Sequence, residues 1–263
     1  MPIYDSEGNV LYDAGSVSNL YSNSPSFYRF ATDSGTMQGG CTDGTYIYYI
    51  ITSANKLVKL NIADGTKTTV TYESGLYGHG NDMTYNPNTD KLYIVTMESG
   101  VIRQVNPSTL ADEGEIVPLD ADGNIVTSSG LAYDRTNDRY ILSSGDRYTI
   151  FDSSWTFIKT FTLAAGSRWT YQGLETDGTY IFRPIWVSGT YECNILVLDM
   201  DGNAQTYIVL PTLASKEIET LVNDWSGAWY AIYNGSPAVY LMGLPKYANF
   251  HAVEMMHTIL SLA

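Results

Sequence analysis

Long apolar runs are missing from this 263-residue chain. No stretch of 18 or more apolar residues occurs, so nothing in it reads as a membrane-spanning helix. Charge is scarce and lopsided: 16% of residues are charged, and 14 Lys and Arg face 28 Asp and Glu, for a net charge of −14. Such a field repels polyanions, which argues against nucleic acid and anionic membrane as partners. Cysteine is nearly absent. Cys41 and Cys193 stand alone, without the Cys-x-x-Cys or Cys/His spacing of a zinc site. The opening residues Met1 to Glu7 lack the basic and apolar regions of a secretory signal. There is no Gly-x-Ser-x-Gly elbow, no His-Glu-x-x-His and no phosphate loop.

What fills the chain is 22 Tyr and 23 Gly, with abundant Thr, Ser, Asn and Asp. Tyr and Thr favour strands; Gly, Asn and Asp favour tight turns, so the composition is all-β. An internal repeat organises it. Thr42-Asp43-Gly44-Thr45-Tyr46-Ile47 recurs unchanged at Thr176 to Ile181, 134 residues on. Degenerate copies begin at Asn86, Asp134 and Asp224, which gives anchor steps of 43, 48, 43 and 47 residues. That period belongs to propeller blades. A two-sheet sandwich, the competing all-β architecture, does not impose it.

Each unit reads as four short strands, for example an aromatic strand at Tyr46 to Ile51, an aliphatic one at Lys56 to Ile62 and an outer one at Thr68 to Tyr72. The fifth unit runs out of sequence for its outer strand. Ser26 to Thr32 supplies one, and closing the ring with it removes an open sheet edge. The expected fold is therefore a five-bladed, single-domain β-propeller with four-stranded blades and an N-terminal strand closing the last one. Residues 1–36 form the lead-in, 37–244 the blades and 245–263 a short helix-like tail, which packs on its own chain or mediates oligomers. With Cys41 and Cys193 two blades apart, two unpaired thiols are expected.

Five residues before each anchor stand Gln38, Asn81, Ser129, Gln172 and Glu219. Polar side chains at one ring position suggest a wet channel mouth, suited to hydroxyl-rich ligands or simply to water. The residues that follow them are Gly39, Asp82, Gly130, Gly173 and Thr220. His79, between two glycines, is a candidate ligand contact or proton shuttle beside them. His251 and His257 sit in the tail. Asp82, Glu175, Glu217 and Glu219 are the carboxylates able to approach the axis, as glycoside cleavage would require of a facing pair. Asp120 to Asn124 and Asp199 to Asn203 resemble the start of a calcium loop but lack its twelfth-position Glu, and Asp-Gly is a hairpin signal. No metal or cofactor is expected. Trp155, Trp169, Trp186 and Trp225 lie in or beside turns, where exposed rings would stack on sugars.

The segments Gln38 to Tyr48 and Gly78 to Asn86 resemble propeller repeats in phage tail and receptor-binding proteins of Gram-positive hosts, and are similar to helveticin-type propellers. The resemblance covers residues 37 to 244. It implies recognition of a surface glycan or cell-wall polymer, in a virion or extracellular setting, with a cytoplasmic one left open. The function expected first is thus a non-catalytic glycan-recognition module using Gln38, His79, Asn81, Ser129, Gln172 and Glu219. Two alternatives stand beside it: a glycan-cleaving hydrolase or lyase with Asp82, Glu175 and Glu219 as its carboxylates, and a protein-binding scaffold.

Overall fold

The structure, a computed structural model, describes residues 3–4, 10–12, 26–33, 35–97, 99–163, 169–187, 190, 192–210, 216–234 and 238–243. Five antiparallel blades follow one another along the chain. Blade one runs Met37–Thr42, Tyr46–Ile51, Lys56–Asn61 and Lys67–Thr71 from the axis outward. Blade two runs Asp82–Asn86, Lys91–Val95, Ile102–Val105 and Asp112–Ile116. Blade three has Gly130–Asp134, Arg139–Ser144, Arg147–Asp152 and Phe157–Thr162. Blade four has an innermost strand in two pieces, Trp169–Tyr171 and Glu175–Thr176, then Tyr180–Val187, Glu192–Asp199 and Ala204–Val209. Blade five takes Ile218–Asn223, Trp229–Tyr233 and Ala238–Gly243 from the end of the repeats. Its outermost strand is Ser26–Thr32, paired antiparallel from Ala238↔Thr32 to Gly243↔Ser26. The ring closes as its incomplete fifth repeat requires.

The unbroken apolar run Tyr-Ile-Tyr-Tyr-Ile-Ile at 46–51 is explained by burial on both faces. Successive side chains of a strand point to opposite sides. Ile47, Tyr49 and Ile51 pack against Val222, Tyr230 and Ile232 of blade five. Tyr48 and Ile50 pack against Met83, Leu92 and Ile94 of blade two. The same alternation produces five hydrophobic clusters, one between each pair of neighbouring blades, so the core is a ring rather than a centre. Both cysteines are buried thiols with no disulfide between them, in the clusters of different blade interfaces, and Cys193 Sγ donates to Lys216 O at 3.4 Å.

The repeat anchors are turn formers. Asp43 Oδ1 accepts the N–H groups of Thr45 and Tyr46 at 2.7 Å, and Asp177 Oδ1 those of Thr179 and Tyr180 at 2.8 and 2.7 Å. Asp134 does the same for Thr136 and Asn137, and Asp224 for Ser226, Gly227 and Ala228. These side chains substitute for the backbone acceptor in the hairpin between the first two strands of each blade. Asp120 and Asp199 serve outer turns in the same way, accepting from Asp122 and Asn124 and from Asp201 and Asn203. Among the described residues no group of three or more His, Cys, Asp or Glu side chains is gathered as a metal site. The tail at 245–263, with His251 and His257, lies outside the described residues.

Deleting residues 1–32 removes the partner of Ala238–Gly243 and leaves its edge amides bare. The truncated chain is expected to aggregate on refolding, as read by light scattering. A soluble truncation with a cooperative melt would contradict closure by this strand.

Candidate functional site

The innermost strand of each blade is paired on one side only, so its other edge turns polar backbone groups toward the axis. Asp82, at the head of blade two's innermost strand, meets that demand for three other blades. Its Oδ2 accepts the N–H of Leu131 at 2.8 Å and of Leu174 at 2.6 Å, and its Oδ1 accepts the Thr220 hydroxyl at 2.8 Å. Blade one passes as bare backbone, because a Cβ on Gly39 would stand 2.3 Å from Asp82 Cα. A Cβ on Gly173 would stand 2.8 Å from Asp82 Oδ1 and 2.4 Å from Thr220 Oγ1. The layer Gly39, Asp82, Gly130, Gly173 and Thr220 therefore closes the axis instead of lining an open bore.

Two further polar ties lie beyond this plug. Glu175 Oε2 accepts the N–H of Asn223, which joins blade four to blade five, while Oε1 takes the N–H of Thr176. At the far end Arg135 crosses from blade three. Its Nη2 donates to Thr42 O at 3.2 Å in blade one, and its guanidinium lies over the rings of Tyr85 and Trp225. Burial pushes Asp82 up to about 7, against the pull of its four hydrogen bonds. Burial likewise pushes Glu175 up to about 8, with the Asp82 charge adding to the shift.

On the near side of the plug sits the polar ring. In every blade the ring position falls on irregular backbone. Gln38 and Glu219 lie within register shifts of their strands, at Met37/Gly40 and Ile218/Thr220. Gln172 occupies the break in blade four, and Asn81 and Ser129 immediately precede the regular strand. Bulges at sheet rims re-aim side chains in this way. The mouth is tighter than a wet rim: Gln38, Asn81, Gln172 and Glu219 are buried and only Ser129 is half-buried. Asn81 Nδ2 donates to Ser129 O, and Gln172 Nε2 to Glu217 Oε1. Gln38 Oε1 and Glu219 Oε1, on neighbouring blades, are buried without a protein partner. Burial first, and the Glu217 charge second, hold the Glu219 carboxyl well above the usual carboxylate range. His79 is exposed on the connection from blade one to blade two, next to Gly80, whose carbonyl accepts the Gly39 N–H at 3.1 Å.

One polar residue at this end escaped sequence reading. Arg183 is fully buried, with Nη1 donating to Ser143 Oγ, its head over the rings of Tyr148 and Tyr171, and Nε and Nη2 without partners. A Cβ on Gly130 would collide with Nη1 at 2.3 Å, so the glycine lets the guanidinium approach the axis. A lone Arg inside the apolar strand Tyr-Ile-Phe-Arg-Pro-Ile-Trp-Val was the available signal. The tryptophans are mostly packing groups. Trp155 stacks on Tyr140 at 4.0 Å and 13°, and Trp186 packs on the cluster between blades four and five. Trp225 lies under Arg135 at the far end, and the Trp169 side chain is outside what is described.

No family model matches the chain, and no curated protein matches it. Solved propellers do. Glutaminyl cyclase of Myxococcus xanthus is 14% identical with a TM-score of 0.61, covering 84% of this chain and 94% of that one. Regucalcin of Agrobacterium tumefaciens, a calcium-binding protein, is 10% identical with a TM-score of 0.56, over 84% and 93% of the two chains. A luciferin-regenerating enzyme is 9% identical with a TM-score of 0.54, over 84% and 96%. At such identities the likeness concerns the fold alone. The five-bladed fold implied by the resemblance to phage tail and helveticin-type propellers is present, and kinship with those proteins rests on the quoted repeats alone.

Asp82→Ala strands two buried amides, each costing about 1–3 kcal/mol, so a loss of about 3 kcal/mol or more is expected in denaturant melts. Stability should also fall as pH rises. Unfolded Asp and Glu titrate near 4, so the folded protein, with Asp82 at about 7 and Glu175 at about 8, binds more protons between those values. The melting temperature is expected to be higher at pH 5 than at pH 8.5. A flat or opposite profile would contradict the buried axial carboxyls.

Proposed function

We propose that the protein is a non-catalytic glycan-recognition module whose ligand docks at the mouth ringed by Gln38, Asn81, Ser129, Gln172 and Glu219, with His79 on the adjoining loop. The observation that carries this reading is the pair of buried, unpartnered acceptors, Gln38 Oε1 and Glu219 Oε1, above an axis closed by Asp82. Buried polar atoms are ordinarily satisfied, and an unpaired one costs about 1–3 kcal/mol. Sugar hydroxyls are directional donors of the kind these acceptors lack. An acceptor-rich mouth on a chain of net charge −14 favours a neutral or cationic glycan. The finer reading, receptor binding on a virion, draws on the resemblance to tail propellers.

A glycan-cleaving activity is the second reading, and the Glu219–Glu217 neighbourhood supports it. A carboxyl held above its usual range beside a second carboxyl suits general acid catalysis. Asp82 and Glu175, by contrast, spend their oxygens on backbone N–H groups and the Thr220 hydroxyl. Glycan-array binding without release of reducing ends supports recognition; released ends support cleavage. Neither signal would favour a protein-binding scaffold.

Gln172→Ala and Asn81→Ala are expected to weaken glycan binding by about 0.5–1.5 kcal/mol in calorimetric titration while the fold persists. Asp43→Ala and Asp177→Ala, which lose turn acceptors, should lower the melting temperature and leave affinity nearly unchanged. Unaltered binding in both ring variants would move the site away from the mouth.

A further inference from the structure

The face that bears the mouth also bears a cleft. Blade three's innermost strand Gly130–Asp134 runs away from the ring, and Arg139–Ser144 returns antiparallel to it. Ser143, Ser144 and the start of Arg147–Asp152 thus emerge on the mouth side. The connection from blade two's outermost strand to Ser129 crosses the same face. Between these segments lies a cleft of about 120 Å³, with Ile125 and Val126 as apolar lining and Ser143, Ser144, Arg147 and Asp120 as polar lining. At about 30 Å³ per water this is roughly four waters' worth of space, enough for the polar edge of one ring.

Ser143, which lines the cleft, also touches the ring. Ser129 N–H donates to Ser143 O at 2.8 Å, so one ring residue is tied to the cleft floor. Ser143 is buried, and its Oγ accepts from Arg183 of blade four. Arg147, half exposed, stands 3.6 Å from Asp120 Oδ2 and presents donors beside an acceptor. Along the same loops, Met97, Val117, Leu119 and Ile125 are four of the six exposed large apolar side chains among the described residues. A Cβ on Gly100 would stand 2.5 Å from Ile125 Cγ2, which places the Met97 turn against this rim. Apolar wall on one side and paired donors and acceptors on the other match a sugar ring, which has an apolar face and a hydroxyl edge.

We propose that this cleft is a second subsite, holding the next ring of a glycan chain whose terminal ring sits at the mouth; the proposal rests on the mouth reading above. The ligand is then an oligosaccharide laid radially from the axis across blade three, not a free monosaccharide. Titration calorimetry with N-acetylglucosamine and its linear β-linked dimer, trimer and tetramer tests this. The oligomers should bind about tenfold or more tighter than the single sugar, since the second contact becomes intramolecular. Arg147→Ala and Ile125→Ser should each erase most of that gain and leave monosaccharide affinity within about twofold. Equal affinity for all lengths, with binding still lost in Gln38→Ala, would overturn the subsite and keep the mouth. Binding unaffected by Gln38→Ala, or no binding of any member, would overturn the mouth for this sugar class and the subsite with it.

Discussion

A propeller leaves five inner strand edges facing one another across an axis, and Asp82 is where this chain satisfies them. One carboxylate takes the amides of Leu131 and Leu174 and the hydroxyl of Thr220, so blades two, three, four and five share a single acceptor group. Gly39 and Gly173 are dictated by it, because a side chain at either place would occupy the space of Asp82 or Thr220. The hydrophobic clusters hold neighbouring blades in pairs; the carboxylate ties blades that are not neighbours. Removing that water-free acceptor would leave donors with no substitute, which is why the cost of its burial is tolerated.

The same plug shapes the mouth. With the axis closed one layer below, the ring of Gln38, Asn81, Ser129, Gln172 and Glu219 is a largely buried polar layer above the plug instead of the entry to a bore. Register shifts at Gln38 and Glu219, a strand break at Gln172 and strand starts just after Asn81 and Ser129 set the ring on irregular backbone. There Asn81 and Gln172 find protein acceptors, and the acceptors Gln38 Oε1 and Glu219 Oε1 find no protein donor. Arg183 adds a buried guanidinium with two unpaired donors close by. At the other end Arg135 donates to Thr42 O and stacks over Tyr85 and Trp225, with its Nε buried and unpartnered.

Much of the architecture was legible because its signals are local. The Asp or Asn anchors recur at blade intervals since each one builds the same turn, and Ser26–Thr32 could be assigned to the last blade because only one strand was missing. The site was legible in part. Counting back from the anchors reached the ring residues, yet the column after them reads as small residues when its meaning is steric: the glycines make room for Asp82 and Arg183. Side chains that act across blades leave no sequence spacing to find. Arg183 bonds to Ser143 forty residues away and Arg135 to Thr42 ninety-three away, distances set by the ring and not by any motif.

Amide hydrogen exchange at Leu131 and Leu174 tests the axial tie most directly. Leu131 lies on blade three's innermost strand and Leu174 in the break of blade four's, where an unpaired amide would ordinarily exchange fast. If Asp82 holds them, they exchange only on global unfolding, more slowly than the outer-strand amides of Lys67–Thr71. Exchange at Leu131 and Leu174 as rapid as at those outer positions would contradict the Asp82 plug and the mouth built upon it.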